Sequence, residues 1–391
     1  MTITITIKKI SKNLRFIAIC AFALLSGCRD DDPIIDEDIV QLPPQTVTTI
    51  TGFYLLNEGN MNMNKASLDF FDYATGVYRR NIFGQTNPDA VLGLGDMGNA
   101  LGIYGSKLYA VINGSNKVEV MDAKTAKRLK VIDIREPRFI TFANGKAYVS
   151  AYDGSLQTGV NLPNGFVFEI DTTTLAITRM VMVGRQPEEL AVVGNKLYVA
   201  NSGFRDALDP RSDYSYETIV SVIDLNTFEK IGEIDVAINL QRLRADAYGN
   251  LWVSSLGDFF DIPSRLFVIC TQIDEVINTF DIACSNLTIV GDMAYIIGSE
   301  FNLTTLEQTI NYSMINVKTQ TLLEGSFLPQ SVIDAIDSPH GIAIDPVSRK
   351  IYITDARDYV SPGRLFCVDK YGNLVFEVIT GDIPSHIAFV K

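Results

Sequence analysis

From residue 52 onward the chain alternates apolar and polar side chains in short runs broken by glycine, asparagine and aspartate. Lys117-Val118-Glu119-Val120-Met121 and Val220-Ser221-Val222-Ile223-Asp224 are examples. A period of two is that of a half-buried strand, and no segment sustains the 3.6-residue period of an amphipathic helix. The runs recur in a fixed order: an inner strand, a glycine turn, a strand opening on an aromatic residue, a strand closing on aspartate, and a last apolar strand. Copies of the turn phrase are Gly52-Phe53-Tyr54, Gly105-Ser106-Lys107-Leu108-Tyr109, Gly145-Lys146-Ala147-Tyr148, Gly194-Asn195-Lys196-Leu197-Tyr198, Gly249-Asn250-Leu251-Trp252, Gly291-Asp292-Met293-Ala294-Tyr295 and Arg349-Lys350-Ile351-Tyr352. Their spacing of roughly 40–55 residues is the length of a four-stranded propeller blade. The pattern predicts an all-β fold, a seven-bladed β-propeller with four-stranded blades over residues 52–391.

Closure is legible as well. The first copy opens directly on its second strand, and the C-terminal Pro384-Ser385-His386-Ile387-Ala388-Phe389-Val390 is an inner strand with nothing after it. Joined, they complete one blade and remove two exposed strand edges. The repeat also assigns structural roles. Asp72, Asp122, Asp171, Asp224 and Asp369 end successive third strands, with Asn316 and Cys270 in the other two blades. A residue repeated around the ring does one local job, here capping a turn, so no catalytic residue is assigned among them. The second-strand aromatics are expected to pack blade against blade.

The N-terminus changes the picture of where the domain lies. Lys8, Lys9, Lys12 and Arg15 precede an apolar run, Phe16 to Leu25, too short to span a bilayer. Leu25-Ser26-Gly27-Cys28 then reads as a lipoprotein cleavage site, giving a signal peptide over 1–27 and lipidation on Cys28. Residues 28–51 read as an acidic, proline-containing linker. The formal charge of −13 becomes more negative once four N-terminal cations are removed. This excludes nucleic acid as a partner and leaves the lipid as the only membrane attachment. Cys270, Cys284 and Cys367 have no metal-ligand spacing and are expected to be packing residues, and no cofactor is assigned.

Function is expected where the blades differ. Aligned on the first apolar residue of each inner strand, the position two before it reads Asn99, Arg138, Glu188, Gln241, Ser285, His340 and Ser385. The next position adds Arg242, Asn286 and His386. This ring of unlike polar groups lines the channel mouth, either as a solvated rim or as the contacts of an asymmetric ligand. The loops from second to third strands open on the same face: Asn57–Ala66, Asp153–Gly165, Ser202–Glu217, Leu256–Ser264, Ser299–Asn311 and Ala356–Gly363. They add Asn57, Glu58, Asn60, Asn201, Phe204, Tyr214, Phe259, Phe260 and Asp355 to the candidate ligand contacts. The two histidines lack a third partner at ligand spacing, so no metal site is expected.

The Lys-Leu-Tyr-Val-Ala-Asn phrase of residues 196–201 and the Val-Ile-Asp-Leu-Asn-Thr phrase of 222–227 resemble YncE-like, or YVTN-repeat, propellers. Arg29-Asp30-Asp31-Asp32 resembles the export signal of Bacteroidota surface lipoproteins. The opening Gly52-Phe53-Tyr54-Leu55-Leu56-Asn57-Glu58-Gly59-Asn60 is similar to members that include the BtuG-type cobalamin-capture proteins. The resemblance implies a non-enzymatic, outer-membrane lipoprotein facing the medium, which holds a corrinoid (vitamin B12) over its channel mouth for a TonB-dependent transporter. An adhesion or surface-layer scaffold binding protein or glycan, and a propeller enzyme of the lactonase or lyase type, stand as alternatives.

Overall fold

A computed structural model describes residues 39–153, 164–203 and 216–391. Its strands form seven antiparallel sheets, each a blade. Six are four-stranded with the expected order. The innermost strands are Gly98–Tyr104, Pro137–Ala143, Pro187–Val193, Leu240–Ala245, Asn286–Val290 and Pro339–Ile344 in blades 2 to 7, and Pro384–Val390 in blade 1. They touch one another in that order around a ring. The fold is therefore the seven-bladed β-propeller that the repeat predicts.

Blade 1 closes as expected: Pro384–Val390 pairs antiparallel with Gly52–Asn57, with Phe53 opposite Phe389 and Leu55 opposite Ile387. The blade also carries a fifth strand. Ile39–Gln41, within the stretch read as linker, pairs with Val77–Arg79 on the outer edge. Leu42 donates its amide to the Gly76 carbonyl at 2.7 Å, and Leu42 and Ile50 are buried. The apolar alternation of Ile39-Val40 covers an edge that would otherwise be open, so the domain begins before Gly52.

The repeated residues act locally. The Asp224 carboxylate accepts the amides of Asn226 and Thr227 at 2.8 and 3.0 Å. Asp72, Asp122, Asp171 and Asn316 accept the same pair of amides in their blades, and Asp369 a wider pair. Each holds the turn into the fourth strand. Six of the seven second-strand aromatics are no more than 2% exposed, whereas Tyr295 is only half-buried. Cys284 and Cys367 are buried and Cys270 half-buried, all as free thiols.

Two features set the channel mouth. The residue before the inner strand is left-handed in five blades, at Met97, Glu136, Gln186, Asn239 and Ile383, with φ from 46° to 55°. The carbonyl of each accepts an amide from just beyond the second strand of its blade: Asn113, Tyr152, Ser202, Leu256 and Glu58 respectively. The inner strand then shifts register against the second strand, for example between Leu240 and Leu243. Such a bulge re-aims side chains, here two successive ones at the mouth. Ser150 and Thr354 lock it, each accepting an inner-strand amide (Phe139, Gly341) and donating to a carbonyl of the next blade (Glu188, Pro384).

Candidate functional site

The polar ring assembles, but as paired charges rather than free groups. Arg138 of blade 3 reaches Glu188 of blade 4 through Nε and Nη2 at 3.1 and 3.0 Å, and its guanidinium lies over the Tyr152 ring. Tyr152 donates its hydroxyl to the same carboxylate. Arg242 of blade 5 donates to Glu189 of blade 4 at 3.2 Å and to the Ser285 carbonyl of blade 6 at 3.2 Å. Glu189 also accepts from Arg244 and from the Leu243 amide. His340 of blade 7 lies 3.0 Å from Glu58 of blade 1. Each pair bridges two neighbouring blades.

Side chains also cross the channel. Phe139 of blade 3 meets His386 of blade 1 edge-on, with centroids 6.0 Å apart, and lies under Arg242 of blade 5. These blades are not adjacent, so Phe139 occupies the channel axis. Burial pushes the Glu58 carboxyl up, yet its charged and hydrogen-bonding neighbours, His340 foremost and Arg242 with it, more than offset this and hold it below its ordinary value. Burial likewise raises Glu189, and Arg244 and Arg242 bring it below its ordinary value. Burial and then Arg242 lower His386 to about 3, so its ring is neutral. Its Nδ1 lies 2.9 Å from Ser385 Oγ, and its Nε2 is enclosed with no hydrogen-bond partner among the described residues. Beneath this cluster the channel holds a cavity of about 350 Å³, walled by Leu101, Ile342, Ile387 and Phe389, with Arg244 and Asn286 on its polar side.

Glu188 is only 1% exposed, its carboxylate taken by Arg138 and Tyr152, and three further expected contacts are not on the mouth surface either. Asn57, Asn201 and Asp355 are fully buried. Asn201 donates to the Val199 and Ile219 carbonyls and Ser221, and Asn57 to Ser67. Asp355 accepts from Arg364 and from the Ser338 and Arg357 amides. They hold the bases of the loops, because the last residue of a second strand faces its neighbouring strands. Asn99 is buried, and Gln241 is half-buried against Asn239. Phe204 and Tyr214, like Cys28, lie outside the described residues.

The loop face carries one group of exposed apolar side chains, on a molecule that exposes others elsewhere, among them Leu129, Ile231 and Tyr371. Met61, Met63, Leu92, Phe260, Phe301 and Val360 are all more than 40% exposed. Asn60 donates to the Tyr359 carbonyl, joining the loops of blades 1 and 7, and Tyr359 meets His340 edge-on. Residues 299–311, expected as an irregular loop, instead extend the strands Met293–Asn302 and Glu307–Asn316 into one ten-pair hairpin. Asn302 closes its turn by accepting the Thr304 and Thr305 amides and donates to the Phe260 carbonyl. Phe259, Phe260, Ile262, Glu300 and Phe301 line a cleft of about 360 Å³ between this hairpin and the loop of blade 5.

Phe139, Glu189, Tyr152 and Tyr359 belong to the site and were not anticipated. Phe139 and Glu189 stand at the same ring position as Arg242 and His386, so the full column of that alignment held the signal. Among the described residues, no group of three or more His, Cys, Asp or Glu side chains is placed to hold a metal ion. No helix among them is long and apolar enough to cross a membrane.

These features define a seven-bladed propeller whose mouth is bridged by ion pairs, with exposed apolar side chains on the loops of blades 1, 5, 6 and 7. Residues 51–360 match the family described as "Domain of unknown function (DUF5074)", and the chain belongs to that family. No curated protein matches the chain. Among solved structures it is similar to Kuenenia stuttgartiensis hydrazine synthase, at 17% identity and a TM-score of 0.59, over 74% of this chain and 89% of that one. It is also similar to a quinoprotein alcohol dehydrogenase-like protein of Bacteroides thetaiotaomicron, at 14% identity and a TM-score of 0.55, over 88% and 79%. A third is the dihydro-heme d1 dehydrogenase NirN, at 11% identity and a TM-score of 0.53, over 89% and 77%. At these identities the likeness is one of fold, a fold that hosts enzymes and binding proteins alike.

Proposed function

We propose that this chain is a lipid-anchored surface protein of the outer membrane that binds a bulky polar nutrient, a corrinoid, on its loop face and passes it to a TonB-dependent transporter. The observation that carries the reading is the contrast on that face: a floor of paired charges bordered, on the loops of blades 1, 5, 6 and 7, by exposed apolar side chains. Exposed apolar groups gathered on loops of a fixed scaffold mark an interaction surface. A corrin is a broad disc with amide side chains on its rim. Its rim would meet Glu58, Arg138, Gln241 and His340, which keep hydrogen-bonding capacity at the mouth, and its apolar parts would meet Phe260 and Tyr359. Binding rather than catalysis is favoured because the charged groups of the floor are engaged with one another. The anchor is acylation of Cys28.

Because Arg138 and Arg242 also hold the blades together, the site is better tested through exposed loop residues. Equilibrium dialysis of cyanocobalamin against wild type, Phe260→Ser and Tyr359→Ala tests the reading. Each substitution is expected to weaken binding by about 1–2 kcal/mol. Unchanged affinity in both variants would move the ligand off this face.

A further inference from the structure

We infer that a cavity between blades 6 and 7, on the face opposite the loops, is a binding site for an amphiphilic organic anion: a carboxylate, sulfonate or phosphate carried on an apolar body of ring size. The cavity measures about 420 Å³, within the range of small-molecule sites. It exists because blade 6 departs from the repeat. Its fourth strand is only Thr321–Leu323, and the chain then leaves on an excursion through a short helix, Gln330–Ile333, before blade 7 begins at Pro339. Phe327, Leu328 and Pro329 of that excursion form one wall. Tyr295 and Met314 of blade 6 and Ile351 of blade 7 form the floor. Phe327 packs edge-on against Tyr295 at 5.5 Å and fixes the ring.

This explains why Tyr295 alone among the seven second-strand aromatics is half-buried: its neighbour is a cavity, not another blade. Its hydroxyl has no hydrogen-bond partner among the described residues. Arg349 and Lys370 stand at the rim. The Arg349 guanidinium lies over the turn at Gly291, where an added Cβ would meet Nη2 at 3.4 Å, and it forms no ion pair among the described residues. Among the described residues Lys370 meets only the ring of Tyr371, itself 78% exposed. The one acid in the lining, Asp369, spends its oxygens on the Tyr371 and Asn373 amides and the Asn373 side chain. The lining therefore offers an apolar body-sized space, two cations that form no ion pair among the described residues and one unengaged donor, on a chain whose net charge is −13. Charge-assisted bonds from such donors to an oxyanion are the strong kind.

The test uses two probes of one shape on the purified protein: 8-anilino-1-naphthalenesulfonate and its uncharged counterpart N-phenyl-1-naphthylamine, both followed by fluorescence. Wild type is expected to take up one sulfonate probe and to hold it at least tenfold more tightly than the neutral one. Arg349→Gln with Lys370→Gln, both at exposed positions, should bring the sulfonate to the level of the neutral probe, and Tyr295→Phe should cost about threefold. Phe260→Ser with Phe301→Ser, on the opposite face, should change nothing. Equal affinity for the two probes in wild type, or a sulfonate site lost in the Phe260/Phe301 variant and kept in the Arg349/Lys370 variant, overturns the inference. Neither result bears on corrinoid binding at the loop face.

Discussion

Asp69 offers a test of how burial sets the pH response of the clasped blade. It lies in the third strand of blade 1 with no exposed surface. Tyr78 donates its hydroxyl to Oδ2 at 2.7 Å, and the Asn81 amide donates to Oδ1 at 2.9 Å. Burial outweighs these bonds and raises its pKa from 3.8 to about 6. The folded pKa is thus above the unfolded one, so the folded state binds more protons between about pH 4 and 6. Stability from this group is full below that window and is lost as pH rises through it. A difference of about 2 in pKa, at about 1.4 kcal/mol each, is on the order of 3 kcal/mol. Asp69→Asn keeps the shape and an acceptor for Asn81 but cannot ionise. Its stability relative to wild type should rise by on the order of 3 kcal/mol between pH 4 and pH 7. The relative value is the informative one, because Glu58, Glu169 and Glu189 are held below their ordinary values and slope the other way. Urea unfolding followed by the fluorescence of Trp252, the single and fully buried tryptophan, supplies the measurement. A relative stability that stays flat or falls with pH would show that burial does not raise the Asp69 carboxyl in the folded protein.

Glu189→Gln strands Arg242 and Arg244 beside a neutral amide and should cost about 2–4 kcal/mol at pH 7 in the same urea assay, with a loss below about 1 kcal/mol showing that the mouth pairs are not a clamp. Deleting residues 384–391 removes the strand paired with Gly52–Asn57 and opens the ring, so the product should aggregate on size exclusion, and a soluble, cooperatively melting truncation would contradict the closure. Cys28→Ala should leave the domain folded but release it from the membrane fraction, and continued sedimentation with membrane would exclude the lipid anchor.

The architecture was legible because a propeller repeats itself. Asp224 and its counterparts, the hairpin glycines and the orphan strand 384–390 each say the same thing at several places in the chain. The site was legible in part, because its residues occur once each. Arg138, Glu188, Arg242, His340 and His386 were found from their alignment, and they do meet at the mouth. That they pair with one another depends on which blade each neighbours and on the bulge that turns two successive side chains inward. The same bulge explains why Phe139 and Glu189 were missed: strict alternation would point them away from Arg138 and Glu188. Asn57, Asn201 and Asp355 were misplaced because a polar residue ending a strand reads alike whether it faces a ligand or secures its own loop. The segment 39–51 was read as linker because Pro43-Pro44 hides a strand of three residues, Ile39–Gln41.

If the loop face binds a corrinoid, as proposed, isothermal titration of cyanocobalamin into the wild-type protein will detect it. Saturable binding of one cobalamin per chain with a dissociation constant of about 1 μM or tighter, corresponding to about −8 kcal/mol, is the predicted result. Absence of heat, with no cobalamin colour retained on the protein after gel filtration from several hundred micromolar ligand, would contradict it.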